Sequence, residues 1–195
     1  MSKVRLGVLI SGSGTNLQAL MDACRAPDFP AEIALVISNK AEAYGLVRAR
    51  QADIPWVVID HKAYASREAF DAALHEQLTA HRVQLVCLAG FMRLLSPWFV
   101  EQWPRTMINI HPSLLPKFKG AHAIRDALAA GEKVTGCTVH YVTAEMDAGE
   151  IILQEQVPIH AGDTHETLAE RIHAAEHRIY VEAVRRLTSP PAQYR

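Results

Sequence analysis

A chain of 195 residues, 49% hydrophobic and 21% charged, has room for a sizeable core and the composition of an ordinary globular domain, which excludes a disordered or fibrous protein. The formal charge of -1 leaves no electrostatic footprint for nucleic acid or an acidic membrane face, so neither is expected as a partner. No apolar run approaches the roughly 18 residues of a membrane span, and the run behind Lys3 and Arg5 stops at Ser11 and Gly12, too early for a signal peptide.

In chain order, residues 4–10 form an apolar run that predicts a buried strand. The turn Ser11, Gly12, Ser13, Gly14, Thr15, Asn16 follows at once, and residues 17–24 have helical spacing. A strand, a glycine turn and a helix start together present backbone N–H groups at the positive end of a helix dipole, a place for an anion. The turn lacks the third glycine of GxGxxG and the Gly-Lys-Ser/Thr of a Walker loop, so a monophosphate suits it better than a pyrophosphate. The local alternative is a tight turn with Thr15 or Asn16 capping the helix.

Further strands are expected at 33–38, 55–59 and 84–89, alternating with helices at 41–50 and 67–80, the second capped by Ser66 with Phe70, Ala73, Leu74 and Leu78 facing the core. Residues 91–95, Phe91 to Leu95, follow the fourth strand and are read either as core or as the wall of a pocket for a flat ring. Ser96 and Pro97 open a short helix to about 102. The stretch 107–110 is a fifth strand, and a helix from about 122 to 130 precedes Gly131. Residues 134–142 and 151–159 alternate as two strands, joined by a loop too short for a crossover helix, and therefore form an antiparallel hairpin. Asp163 and Thr164 cap a last helix to about 187, with a frayed tail from about 188.

The strict alternation predicts an α/β fold: a Rossmann-like, mostly parallel sheet with helices on both faces and a C-terminal antiparallel hairpin, one domain over 1–195. The three cysteines, Cys24, Cys87 and Cys137, are far apart and read as reduced core thiols of a cytoplasmic protein, not as disulfides or a CxxC site.

The chemistry concentrates where the fifth strand runs out, in Asn109, Ile110, His111, Pro112, Ser113, Leu114, Leu115, Pro116. Open α/β sheets hold their ligands at the carboxyl ends of their strands, and alternation along an extended chain lets Asn109 and His111 face one crevice. Taken locally, both are equally ordinary strand-end residues. Four further segments change that reading: 10–19, 89–93 (Ala89 to Arg93), 136–140 (Gly136 to His140) and 146–152 (Met146 to Ile152). Together with 109–116 they stand in the order and spacing of the folate-dependent formyltransferases, which this chain resembles, and the Gly-Ser-Gly-Thr-Asn turn is similar to that of the phosphoribosylglycinamide formyltransferase branch.

The resemblance implies transfer of a formyl group from 10-formyltetrahydrofolate, as cosubstrate, to the amino group of glycinamide ribonucleotide. It also implies small-molecule partners, no metal, and a monomer or homodimer. It gives Asn109 as the donor to the formyl oxygen, His111 as the catalytic imidazole and Asp147 as the carboxylate that orients and charges it. Gly14, Thr15 and Asn16 correspond to the phosphate site and Glu176 to the acid on the ribose hydroxyls. Met92, Arg93, Leu94, Leu95, His140, Thr143, Ala144, Glu145, Met146 and Asp147 correspond to folate-binding walls, with Arg67 at the glutamate tail. Without the resemblance, Asp147 reads equally as a turn residue and Glu176 as part of a solvated helix face. His173, Glu176 and His177 do not have the HExxH spacing of a zinc site. Residues 121–124, Ala121 to Ile124, depart from many members. Hydrolysis of the same donor, with water in place of the amine, is the alternative reading.

Overall fold

The computed structural model describes residues 2–189. Seven strands form one sheet: β1 (Val4–Ile10), β2 (Ala31–Ser38), β3 (Trp56–Val58), β4 (Leu85–Leu88), β5 (Met107–His111), β6 (Val134–Tyr141) and β7 (Ile151–Pro158). Their order is β3-β2-β1-β4-β5-β6-β7. The first five in that order pair parallel, while β6 runs antiparallel to both β5 and β7. The helices are α1 (Thr15–Cys24), α2 (Tyr44–Gln51), α3 (Arg67–Ala80), α4 (Pro97–Gln102), α5 (Ala123–Ala129) and α6 (His165–Thr188), with a short 3-10 turn at His61–Ala63 that the sequence did not announce. The α/β class, the parallel order and the C-terminal hairpin agree with expectation. The tail expected from about 188 is helical through Thr188, and its part beyond Ser189 lies outside the described residues.

Helices on both faces explain the near-continuous apolar runs, since a parallel strand is buried on both sides. Leu6, Val8, Leu9 and Ile10 of β1 are fully buried. One core packs α1 and α6 onto the sheet through Leu17, Leu20, Ile172 and Tyr180, and the other packs α3 and α4 through Phe70, Leu74, Leu78 and Phe99. Caps fall where hydroxyls were found: Ser66 accepts from Ala69 N–H, Ser96 from Phe99 N–H, and Thr164 forms a reciprocal capping box with Thr167. The three cysteines are free thiols, and burial pushes Cys24 up to about 11, Cys137 up to about 12 and Cys87 higher still, so they stay protonated.

Two boundaries move for tertiary reasons. The helix expected from 17 begins at Thr15, and its cap is Gly14, with no side-chain capping bond from Thr15 or Asn16. The helix expected from 41 begins at Tyr44, because Gly45 N–H donates to Gly12 O at 3.0 Å and ties that helix start to the glycine turn. Gly14 has φ 71°, and a Cβ there would lie 2.6 Å from the Gly45 Cα. A Cβ on Gly45 would in turn meet Ile10 Cδ1 at 2.3 Å. Neither position therefore has room for a side chain, Gly14 because of the Gly45 main chain and Gly45 because of Ile10. Gly14→Ala should destabilise the fold by about 1–3 kcal/mol, through both the left-handed backbone and a clash with main chain, read as a fall in the denaturant midpoint at unchanged slope.

Candidate active site

The chain winds outward from β1 in both directions, since β2 lies on one side and β4 on the other, and this reversal opens a crevice at the strand carboxyl ends. A cleft of about 510 Å³ lies there. Asn109 and His111 from the end of β5 form part of its floor, with His140 from β6, and residues 143–147 and Gly120 close its far side. Its other wall is Phe91 to Leu95. Met92 is 68% exposed and Leu94 56%, so they are not core residues but an open apolar surface, as the pocket-wall alternative requires. Arg93 stands among them with its Nε buried and unpartnered.

Asn109 and His140 are directly opposed across the β5–β6 pair. Burial lowers the His140 pKa; His111 acts in the same direction, while the Tyr141 carbonyl and Asp147 oppose it. The ring is thus neutral, with Nδ1–H donating to Tyr141 O at 2.9 Å and Nε2 left as an acceptor. Asn109 Nδ2 lies 3.4 Å from that Nε2. This contact aims the amide, using one N–H on the histidine and leaving the other free toward the cleft.

His111 sits 3.6 Å through Nδ1 from Asp147 Oδ2, while its Nε2 donates to Phe118 O at 2.8 Å. Asp147 also lies 3.8 Å from His140 Nε2 and accepts from Gly120 N–H at 2.8 Å. Its side chain is only 9% exposed. The residue has φ 51°, a left-handed conformation that Asp tolerates better than most. What bends the loop back is Gly149, where a Cβ would stand 1.7 Å from Tyr141 O. Arg105 pairs with Glu150 at 2.6 Å at the loop's foot. Asn109, His111 and Asp147 are therefore brought together from two distant segments.

Outside the lining of that cleft, Asn16 Nδ2 donates to Glu176 Oε2 at 3.2 Å, bringing the start of α1 against α6. Glu176 is 5% exposed, not on a solvated face, and burial pushes its carboxyl up to about 7 against the opposing Asn16 amide. Asn16 Oδ1 is buried without a partner, an orphan acceptor waiting for a donor. Gly14 and Thr15 provide the adjoining backbone at the helix start. Arg48 braces this turn, donating to Ser13 O at 2.8 Å. Thr143 Oγ1 donates to Glu145 O at 3.0 Å, holding the loop of Ala144 and Met146 in shape.

Arg67 is not brought to the cleft lining. It opens α3 one turn before Phe70, whose ring lies parallel to that of Phe91, so it stands outside the apolar wall. Gly120 and Ala121, whose contacts the sequence left open, line the cleft. Sequence reasoning missed the acceptor role of His140, the Phe118 carbonyl behind His111 and the Gly120 N–H on Asp147. Only the first carried a signal, the antiparallel pairing of its strand. Among the described residues no group of three or more His, Cys, Asp or Glu is gathered to hold a metal ion, and no helix is long and apolar enough to cross a membrane.

Residues 4–184 match the formyl transferase family model. The chain is 55% identical over 189 residues to the trifunctional purine biosynthetic protein adenosine-3 of Chironomus tentans, a match that covers 96% of this chain but 14% of that protein. It is 47% identical over 173 residues to phosphoribosylglycinamide formyltransferase of Escherichia coli K12, covering 89% of this chain and 82% of the relative. The crystal structure of glycinamide ribonucleotide transformylase 1 from Symbiobacterium toebii superposes with a TM-score of 0.94 at 56% identity, over 95% of this chain and 88% of that one.

Glu176 generates a pH prediction. A carboxyl near 7 in the folded state and near 4.5 in the unfolded chain keeps its proton only when folded, so stability falls as pH rises from about 4.5 to 7. Glu176→Gln removes that dependence: the variant should gain stability over the parent between pH 5 and pH 8, measured as the difference in Tm at each pH.

Proposed function

The chain belongs to the formyl transferase family, and on that premise we propose that it transfers the formyl group of 10-formyltetrahydrofolate to the amino group of glycinamide ribonucleotide. The observation that carries this reading is the convergence of Asn109, His111 and Asp147 on one cleft, whose apolar wall is hydrogen-bonded through Met92 N–H to Ser11 at the root of a glycine turn suited to a monophosphate. The names of the Escherichia coli and Symbiobacterium toebii relatives support the choice of substrates.

10-Formyltetrahydrofolate supplies the formyl carbon, and attack by the amine places negative charge on the formyl oxygen. The free N–H of Asn109 meets that charge. Because Nε2–H of His111 is used on Phe118 O, Nδ1 is the atom that shuttles: it takes the proton the attacking amine sheds and delivers it to the departing folate nitrogen. Asp147, beside Nδ1, stabilises the imidazolium between those two events. Met92, Leu94 and Leu95 offer the apolar wall for the pterin ring, with Arg93 as the cation within the cleft and Arg67, outside that wall, reached only by an acidic tail that leaves it. Gly14, Thr15 and Asn16 receive the phosphate, and Glu176 the ribose hydroxyls. The buried orphan Oδ1 of Asn16 fits such a hydroxyl donor.

The direct test is formyl transfer by the purified protein from 10-formyltetrahydrofolate with and without glycinamide ribonucleotide. Transfer that requires the amine supports the reading, and formate release without it makes the protein a hydrolase. Asn109→Ala should lower kcat by about 10²–10³-fold, the usual loss for one oxyanion donor. Asp147→Asn should lower kcat by at least about 10²-fold while leaving the KM for the ribonucleotide unchanged; an unchanged kcat removes Asp147 from the mechanism.

A further inference from the structure

A chain of hydrogen bonds, buried at its centre and partly buried at its ends, crosses the strand ends outside the catalytic trio. Met92 N–H donates to Ser11 Oγ at 2.8 Å, Ser11 Oγ–H donates to Asn39 Oδ1 at 2.5 Å, and Asn39 Nδ2 lies 3.2 Å from His61 Nδ1. Ser11 and Asn39 are both buried, and none of Ser11, Asn39 and His61 lines the cleft. The direction of the chain follows from its fixed end. A backbone N–H can only donate, so Ser11 accepts there, and its own proton is satisfied only by an acceptor, the Asn39 carbonyl oxygen. The Asn39 amide then donates to a bare His61 Nδ1.

An apolar path closes the circuit. The His61 ring meets Phe70 edge-on with centroids 6.2 Å apart, and Phe70 lies parallel to Phe91 at 6.4 Å and 7°. Polar and apolar routes from His61 thus end on the consecutive residues Met92 and Phe91. Those two begin the segment that presents Met92 and Leu94 to the cleft with so little cover of their own. The root of the phosphate turn is the other fixed point, because Ser11 directly follows β1 and precedes Gly12.

We propose that Ser11, Asn39 and His61 are positioning residues that lock the backbone of the apolar wall to the root of the glycine turn, so that the ring-binding and phosphate-binding halves of the site keep one spacing. The assignment of the wall to folate rests on the formyl transfer reading; the mechanical link does not. Removing one member leaves a buried polar group unsatisfied, which corresponds to a loss on the order of tenfold or more in what the wall holds. Members of one chain also fail together, so their losses do not multiply.

The experiment is a double-mutant cycle of Ser11→Ala and Asn39→Ala with two readouts. Hydrogen exchange of the amides over 90–95 should quicken by about tenfold or more in each single variant, with 107–111 unchanged. The KM for 10-formyltetrahydrofolate should rise about tenfold in each single variant with a smaller change in kcat, and the double variant should be no worse than the poorer single one. Unchanged exchange over 90–95, or effects that multiply in the double variant, would overturn the proposal. A variant that loses only Tm, with exchange over 90–95 and KM unmoved, overturns it equally. If the parent protein transfers no formyl group, the function proposed above fails, while the exchange cycle still decides the relay. Should one variant not fold, the other with His61→Phe completes the cycle.

Discussion

The contact of Asp147 with two imidazoles is the constraint on which the rest of the crevice depends. A buried carboxylate is costly unless charge and hydrogen bonds surround it. Here the Gly120 N–H supplies a hydrogen bond and His111 Nδ1 stands at 3.6 Å, while the bare Nε2 of His140, 3.8 Å away, packs against the carboxylate without donating to it. Gly120 and His111 are far from Asp147 in sequence, whereas His140 lies on the strand that leads into its loop. The loop reaches them because Gly149 lets the main chain pass directly under Tyr141 O, and because the aspartate itself accepts a left-handed φ. Three segments, the end of β5, the turn at 118–120 and the loop after β6, are thereby fixed relative to one another.

The two histidines show how sheet register separates like side chains. His140 is paired opposite Asn109 and donates along its own strand to Tyr141 O, so burial keeps it neutral and its Nε2 orients the amide. His111, two residues along β5 from Asn109, donates through Nε2 to Phe118 O and turns Nδ1 to the carboxylate. One ring is an acceptor that aims a donor, and the other is the ring whose second nitrogen is available to a proton.

Much of the fold could be read from the chain because its rules are local. Apolar runs marked β1, β2, β4 and β5, and Ser66, Ser96 and Thr164 cap the helices they were expected to cap. The start of α2 lies three residues beyond the position that spacing predicts, since a contact between Gly45 and Gly12, far apart in sequence, sets it. The candidate site divides in the same way. Asn109 and His111 could be placed at one strand end from alternation alone, whereas Asp147 depends on a loop that folds back. Glu176 looked like a solvated helix residue because helical periodicity cannot show that the first turn of α1 covers it.

That covering bears on the proposed chemistry. A phosphate at the glycine turn carries negative charge, and an ionised Glu176 beside Asn16 would oppose it across a poorly solvated space. Burial instead holds the glutamate at the edge of protonation near neutral pH, so it can meet a ribose hydroxyl as a donor or an acceptor without adding a full charge. At the end of β5 the logic is reversed: Asp147 stands 3.6 Å from the His111 imidazole and accepts the Gly120 N–H. Two buried acids thus serve different ends because one faces an amide and the other an imidazole. The sheet keeps them apart by mounting one on the hairpin loop and the other on α6.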